Sequence, residues 1–201
     1  MSMEIKPLSP DLIPSYLDFF DNRAFSDDSP CGPCYCTAPS IDAASEAQMV
    51  SEFGGDVKGT LRRYAVDLLA EGRIHGYLAF ENNIPVGWCN AGDRDSFLSW
   101  IPEIARRVSL GKTVSVLCFA IAPGYRGKGL SFALLEHIVE DARNQGYAAI
   151  EGYPRMQKDR EPYDFNGPLR LFEKAGFVET AREGEVVVMS KDLRDDPAAS
   201  D

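Results

Sequence analysis

Residues 114–135 read VSVLCFAIAPGYRGKGLSFALL, which is an apolar segment, a basic glycine-rich turn and an amphipathic segment. This order predicts a buried strand, a tight turn over residues 126–131 and a helix. A helix that begins in such a turn leaves its first backbone N–H groups unpaired, and its dipole adds positive potential there. Helix starts of this kind bind phosphate, and Arg126 and Lys128 add positive charge. The turn therefore predicts a site for a phosphorylated ligand.

The composition is that of an ordinary globular protein, with 201 residues, of which 44% are hydrophobic and 26% charged. A formal net charge of −10 argues against nucleic acid as a partner and is compatible with a cationic small substrate such as an amine. No apolar run is long enough to span a bilayer, so we expect no membrane partner. The N-terminal residues MSMEIKPLSP lack the basic and apolar regions of a signal peptide, and we expect a cytoplasmic protein.

Hydrophobic periodicity predicts a mixed order of strands and helices. The predicted strands cover residues 3–8, 76–81, 85–91, 114–122, 147–152, 177–180 and 185–190. The predicted helices cover residues 9–20, 42–53, 56–71, 97–108, 129–144 and 168–176. Asn82-Asn83 is typical of a hairpin turn. This order implies one mixed sheet with helices on both faces, in a single domain over residues 1–191, followed by an acidic tail over residues 192–201 that its composition predicts to be disordered.

Two segments resemble the signatures of the GCN5-related N-acetyltransferases, the GNAT superfamily. Residues 121–131, IAPGYRGKGLS, resemble the acyl-CoA motif Gln/Arg-x-x-Gly-x-Gly/Ala through Arg126, Gly129 and Ser131, where Ser131 replaces the usual Gly or Ala. Residues 171–177, LFEKAGF, resemble the second signature of the family. The resemblance implies an α/β (α+β) fold with a mixed, mostly antiparallel sheet. It also implies that the central pair of strands splays apart and leaves a V-shaped opening.

The resemblance implies an N-acetyltransferase that uses acetyl-CoA as cosubstrate and acetylates a primary amine of a small molecule by direct transfer. Backbone groups at the opening would pair with the pantetheine arm and polarise the acetyl carbonyl, while the N–H groups of the turn would hold the pyrophosphate. Carried over to this chain, the cofactor-binding residues are Phe119, Ala120, Ile121, Arg126, Gly127, Lys128, Gly129, Leu130 and Ser131. No metal is expected.

The catalytic residues are harder to assign. Many family members have a Tyr in the second signature as the proposed general acid, but this chain has Phe172, which cannot donate a proton. Tyr163, Tyr153 or a water could replace it as the general acid, and Tyr163 is the first candidate. Alternatively, no acid is needed, because a thiolate is a tolerable leaving group. Glu151, on the second strand of the splayed pair, is the candidate general base; the alternative is a structural ion pair with a cation.

The five cysteines include a cluster of three, Cys31, Cys34 and Cys36. Cys31-Gly32-Pro33-Cys34 has the letters of a thioredoxin motif but lacks the strand before it and the helix after it. A zinc site needs a fourth ligand that the neighbourhood does not supply. The resemblance instead implies that this segment lines the acceptor pocket, with plain loop packing as the alternative. The predicted substrate-binding residues are Tyr35, Cys36, Trp88 and Asn90.

Three functions are therefore open. The first is a GNAT-type N-acetyltransferase; the second is a non-catalytic acyl-CoA-binding or sensor protein, which the missing Tyr makes conceivable. The third is a zinc or thiol-redox module built on residues 31–36. The acceptor amine and the oligomeric state stay open, and the C-terminal hairpin makes a homodimer one option.

Overall fold

The computed structural model describes residues 3–27, 29, 32–97, 99–108, 110–156 and 165–194. Within these residues, seven strands form one sheet in the order β1-β2-β3-β4-β5-β7-β6. The strands are β1 (Met3–Pro7), β2 (Gly76–Glu81), β3 (Ile84–Asp93), β4 (Thr113–Ile121), β5 (Ala149–Gly152), β6 (Val178–Glu183) and β7 (Val186–Asp192). The pair β4–β5 is parallel and the other neighbouring pairs are antiparallel, which confirms the predicted mixed, mostly antiparallel sheet.

Helices cover both faces of the sheet, as predicted. They are α1 (Ile13–Asn22), α2 (Ala43–Ser51), α3 (Val57–Ala70), α4 (Glu103–Arg106), α5 (Leu130–Asn144) and α6 (Leu169–Lys174). Adjacent residues of a strand face opposite sides. Cys89 packs in the core cluster of α5 and α6, while Trp88 packs in the cluster of α1 and α3. No helix of the described residues has the length and apolarity to cross a membrane.

The hairpin between β2 and β3 forms where its turn residues predict it. Asn82 and Asn83 both have positive φ angles, 50° and 64°. Two consecutive residues of this conformation make a type I′ turn, whose twist matches that of the flanking strands, and Asn tolerates it better than most residues. The turn sets the register that places Trp88 and Asn90 opposite β4.

The continuous helix predicted over residues 97–108 is wrong. A 3-10 turn spans Arg94–Phe97, and α4 spans only Glu103–Arg106. Pro102 lies between them with extended backbone, at ψ 140°. Proline disfavours helical backbone at the preceding residue and has no N–H to donate, so the apolar residues of this segment pack on the sheet as two separate turns.

The strands β4 and β5 pair over only four residue pairs, from Thr113–Ala149 to Val116–Gly152. β4 then continues to Ile121, so its edge beyond Val116 is no longer paired with β5. The splayed pair implied by the family resemblance is therefore present. The gap between the two strands positions the site described below.

A β-bulge in β4 lies at the start of this gap. Asn90 pairs with Cys118 and Ala91 with Val116, so Leu117 has no residue opposite it in β3. An extra residue shifts the alternation of side chains by one. Leu117 and Cys118 consequently both face the α1 side of the sheet, while Phe119 packs with the core on the α5 side.

Candidate functional site

A cavity of about 430 Å³ follows the free edge of β4. It extends from the glycine-rich turn to the segment that contains the cysteines. Its described lining residues are Ala24, Phe25, Ser29, Cys34, Cys36, Thr37, Ala38, Pro39, Trp100, Leu117, Cys118, Phe119, Ala120, Ile121, Arg126, Ser131, Phe165, Gly167 and Pro168. The cavity thus brings together the predicted cofactor turn, the β4 edge and the predicted acceptor segment.

The backbone N–H and C=O groups of Phe119 and Ile121 lie on the edge of β4 that borders the cavity. Ala122 donates to the Val86 carbonyl at 3.0 Å, and Ala120 lies opposite Trp88. Because alternate residues of an antiparallel strand bond to the same neighbour, the backbone groups of Ala120 face β3. Phe119 and Ile121 face the open edge, where the Phe119 N–H donates to the Phe165 carbonyl at 2.7 Å. All three predicted residues line the cavity, but the backbone of Ala120 is turned away from it.

The turn over residues 165–168 closes one side of the gap. In addition to the Phe165 contact, the Asn166 Nδ2 donates to the Leu117 carbonyl at 3.0 Å. Gly167 has φ +82°, and a Cβ on it would lie 3.3 Å from the Phe119 ring. This turn therefore rests directly on the exposed edge of β4.

The glycine-rich turn has the backbone that a helix start needs. Gly127 and Gly129 have φ +73° and +85°, and Gly129 caps α5 without a side-chain hydrogen bond. The N–H groups of the first turn of a helix have no acceptor within the helix. Those of Leu130 and Ser131 belong to this group, and the exposed Lys128 lies beside them. The turn can hold an anion through backbone N–H groups.

The side chain of Arg126 contacts protein groups on both sides. Its Nε donates to the Ile121 carbonyl at 2.9 Å, its Nη2 to the Ala24 carbonyl at 3.1 Å and its Nη1 to Asp27 at 2.5 Å. The hydrogen bond from Arg126 lowers the pKa of Asp27. Arg126 thus joins the end of β4 to the segment that follows α1.

Glu151 is completely buried, beside the cavity rather than in its lining. Its Oε1 accepts hydrogen bonds from the Tyr153 hydroxyl at 2.5 Å and from Ser115 Oγ at 3.4 Å, and lies 3.5 Å from Arg94 Nη1. Its Oε2 has no hydrogen-bond partner among the described residues. Burial raises the pKa of Glu151 above its usual value, and the partners at Oε1 oppose this shift.

Leu117 is common to the cavity wall and to the apolar cluster that contains Tyr153. The structure also supports the alternative of an ion pair with a cation, because Arg94 lies within ion-pair distance of Glu151. Tyr163, the predicted acid, lies outside the described residues.

Cys34, Cys36 and Cys118 all line the cavity. Cys36 interacts with the thiols of Cys118 and Cys34. The hydrogen bond with Cys118 and burial raise the pKa of Cys36, and the hydrogen bond with Cys34 opposes this shift. Because the thiolate is the reactive form, Cys36 is a weak nucleophile at neutral pH. No group of three or more potential ligands that could hold a metal ion occurs among the described residues, which do not include Cys31.

The other predicted substrate residues lie behind the cavity wall. Tyr35 is buried, with its hydroxyl donating to Asp21 at 2.5 Å, and Trp88 is buried edge-on against Tyr16 at 4.8 Å. Asn90 is also buried, and both polar atoms of its amide lack a partner within the described part of the chain. Of the four predicted substrate residues, only Cys36 lines the cavity.

Several lining residues were missed by the sequence analysis. Phe25, Trp100 and Phe165 give the cavity aromatic walls, and Leu117 and Cys118 reach it through the bulge. These residues come from distant parts of the chain and form no local motif. The hydrophobic pattern alone could not separate them from core residues.

Comparisons with known proteins agree with this geometry. The model of the Acetyltransferase (GNAT) family matches residues 42–177, more than half of the chain. No curated protein matches the chain. Similar solved structures show the same fold.

The PaiA N-acetyltransferase of Thermoplasma acidophilum, solved in complex with coenzyme A, has 17% identity and a TM-score of 0.51, over 96% of this chain and 99% of its own. The yncA protein of Salmonella typhimurium, solved with its cofactor acetyl-CoA, has 19% identity and a TM-score of 0.52, over 100% of this chain and 99% of its own. A GNAT acetyltransferase of Streptococcus pneumoniae has 19% identity and a TM-score of 0.52, over 94% and 98%. The family match over residues 42–177 and the sheet with its splayed central pair together show that this chain belongs to the GNAT family of acetyltransferases.

Proposed function

We propose that the protein transfers an acetyl group from acetyl-CoA directly to a primary amine of a small molecule. The observation that carries the proposal is the single cavity that joins the glycine-rich turn, the free edge of β4 and the segment with the cysteines. A donor with a diphosphate at one end and a thioester at the other fits this order. The structures of the yncA protein and PaiA, which contain acetyl-CoA and coenzyme A, support the choice of donor.

In this proposal the diphosphate binds the N–H groups of residues 126–131, beside Lys128. The pantetheine arm follows the edge of β4 at Phe119 and Ile121, within the wall that also contains Ala120. A backbone N–H near the thioester oxygen would stabilise the oxyanion of the tetrahedral intermediate. Phe119 would exchange its bond with Phe165 for one to the donor, and the Ile121 N–H faces the same edge.

Glu151 is the proposed general base. It does not line the cavity, so a water between them would have to carry the proton of the incoming ammonium. Its raised pKa brings it closer to neutral pH, and its Oε2 is left for such a water because no described residue bonds to it. Tyr163 stays the proposed acid for the leaving thiolate, with unassisted departure as the alternative.

The cavity walls favour an acceptor with an aromatic or aliphatic body. Phe25, Trp100 and Phe165 contribute rings, and Arg126 is the charged residue of the described lining. An amine with several positive charges would find no carboxylate in that described lining, whereas an apolar body gains from burial. Cys36 would contact the acceptor, and the buried Tyr35 and Trp88 would support the wall. Asn90 is the partner of Cys118 in the pairing of β3 with β4.

A panel of amines tests the proposal. Acetyl-CoA is incubated with phenylethylamine-type and alkyl monoamines and, for comparison, with polyamines and aminoglycosides, and both released CoA and acetylated amine are measured. We expect an aromatic monoamine to react with a kcat/KM at least tenfold higher than that of a polyamine. Tight binding of acetyl-CoA without turnover of any amine would favour the sensor function, and stoichiometric zinc in the purified protein would favour the metal module.

Three further expectations stay predictions. They are the domain boundary at residue 191, the cytoplasmic location and the homodimer. The acidic net charge of −10 supports the absence of a nucleic-acid partner.

A further inference from the structure

The Arg126 side chain connects the glycine-rich turn to the segment that follows α1, and both contribute to the cavity wall. The residue belongs to the glycine-rich turn by its backbone, but its guanidinium points to the segment that follows α1. There it binds Asp27 through Nη1 at 2.5 Å and Nη2 at 3.5 Å, and the Ala24 carbonyl through Nη2 at 3.1 Å. Ala24, Phe25 and Ser29 of this segment line the cavity.

The position of the guanidinium is fixed from the strand side as well. Its Nε donates to the Ile121 carbonyl at 2.9 Å, on the open edge of β4. A guanidinium is planar, so this bond and the fork to Asp27 set its orientation together. The side chain therefore holds residues 24–27 at a defined distance from β4.

The charge of Arg126 is matched by Asp27 in this arrangement. Both side chains are partly exposed, Arg126 at 43% and Asp27 at 37%, so solvent weakens the attraction between them. The N–H groups at the start of α5 and the exposed Lys128 remain to bind an anion. Phosphate binding at the turn does not need the Arg126 side chain.

We infer that Arg126 is a positioning residue, which acts through Asp27 to hold the part of the cavity wall formed by Ala24 and Phe25 against the end of β4. In this inference the ion pair between Arg126 and Asp27 persists when acetyl-CoA binds. The backbone N–H groups of the turn then bind the donor, and the Arg126 side chain holds the wall on the acceptor side. The assignment of donor and acceptor ends rests on the proposed function. The contact between the two segments does not.

The test combines hydrogen exchange with calorimetry on Asp27→Asn, Asp27→Glu, Arg126→Gln and Lys128→Gln. For the peptide of residues 19–27, we expect exchange about two- to fivefold faster in Asp27→Asn, as for loss of a partly exposed ion pair. Arg126→Gln also loses the bonds to Ala24 and Ile121, so its effect should be larger. Asp27→Glu should restore most of the protection, and Lys128→Gln should leave it unchanged.

In calorimetric titration with acetyl-CoA, Lys128→Gln should have a larger effect than Asp27→Asn, the reverse of their order in hydrogen exchange. We expect Lys128→Gln to weaken binding severalfold, since Lys128 is exposed beside the N–H groups proposed to hold the diphosphate. Asp27→Asn should change binding by less than about twofold, since Asp27 is paired with Arg126. With an amine that the protein acetylates, Asp27→Asn should raise the KM of the amine and leave that of acetyl-CoA unchanged.

Two results would overturn the inference. One is tighter acetyl-CoA binding by Asp27→Asn, which would mean that the freed arginine binds the diphosphate. The other is unchanged exchange of residues 19–27 in both Asp27→Asn and Arg126→Gln. If the wild-type protein does not bind acetyl-CoA, the proposed function fails, but the exchange measurement still decides whether Arg126 holds this wall.

Discussion

The Tyr153 hydroxyl donates a hydrogen bond of 2.5 Å to Glu151 Oε1, and both side chains are buried. Tyr153 packs in the same apolar cluster as Leu117, which lines the cavity. Burial raises the pKa of Glu151 and also that of Tyr153. Ser115 Oγ lies 2.8 Å from the Tyr153 hydroxyl and joins the same network. The two titratable groups therefore form one buried unit, whose protonation should affect stability and, in the proposed mechanism, catalysis.

The stability of the protein should depend on pH through Glu151. Its pKa is raised above the ordinary value of 4.5, so the folded state binds the proton more tightly than the unfolded state. The stability gained from this proton is present below pH 4.5 and is lost as the pH rises through the folded pKa. We expect the wild-type free energy of unfolding to fall relative to that of Glu151→Gln over this range. Urea unfolding of both proteins between pH 4 and 8 measures this difference in free energy. A difference that does not change with pH would contradict the raised pKa of Glu151.

The same variant tests the catalytic proposal. Loss of a general base lowers turnover by about 10² to 10⁴. We expect this loss of kcat in Glu151→Gln, with acetyl-CoA affinity unchanged. Tyr153→Phe is the matched control, because it removes the hydrogen bond that lowers the pKa of Glu151. The acidic limb of its activity profile should move to higher pH. Wild-type kcat in Glu151→Gln would rule out this base.

The glycine-rich turn provides a matched pair of substitutions. Gly129 has φ +85° with nothing close to its Cβ position, so Gly129→Ala is strained by backbone conformation alone. The cost is about 1–2 kcal/mol, and relief of the strain would shift the N–H groups at the start of α5. We expect weaker acetyl-CoA binding in calorimetry. Gly124 is equally open without a positive φ, so Gly124→Ala should bind normally; equal behaviour of the two variants would contradict the assignment.

Phe172 gives a test of the missing general acid. It is completely buried and packs so closely on β5 that a Cβ on Gly152 would lie 2.2 Å from its ring. A hydroxyl added there would be buried in an apolar cluster that includes Phe177, and we expect it to cost about 1–3 kcal/mol. We expect Phe172→Tyr to unfold at lower urea concentration without a gain in kcat. A clear rise in kcat would show that the family tyrosine functions in this chain.

The parts of the fold that depend on local sequence could be predicted. The turn at Asn82-Asn83 and the turn before α5 are determined by residues that tolerate positive φ, and both form as expected. The helix over residues 97–108 was predicted from its apolar spacing, but Pro102 outweighed that spacing. The bulge at Leu117 has no sequence signal, because it depends on the pairing of β4 with β3.

The site was predicted less completely because it depends on contacts between distant residues. Arg126 and Asp27 are 99 positions apart, and no local pattern relates them. Strand alternation places Glu151 on a face with Tyr153, but it does not reveal that Glu151 is completely buried or that Arg94, 57 positions away, lies within ion-pair distance. Trp88 and Tyr35 come from the predicted acceptor region and yet lie behind its wall.

A single-turnover experiment tests the central claim, direct transfer within this cavity, most directly. The protein is mixed with acetyl-CoA labelled in the acetyl group, with and without an amine, and the label is followed on amine and protein by mass spectrometry. Direct transfer predicts that the label reaches the amine at the rate at which CoA is released, with none on the protein when the amine is omitted. Label on Cys36 or Cys118 that then passes to the amine would contradict it, as would acetyl-CoA left intact with every amine of the panel.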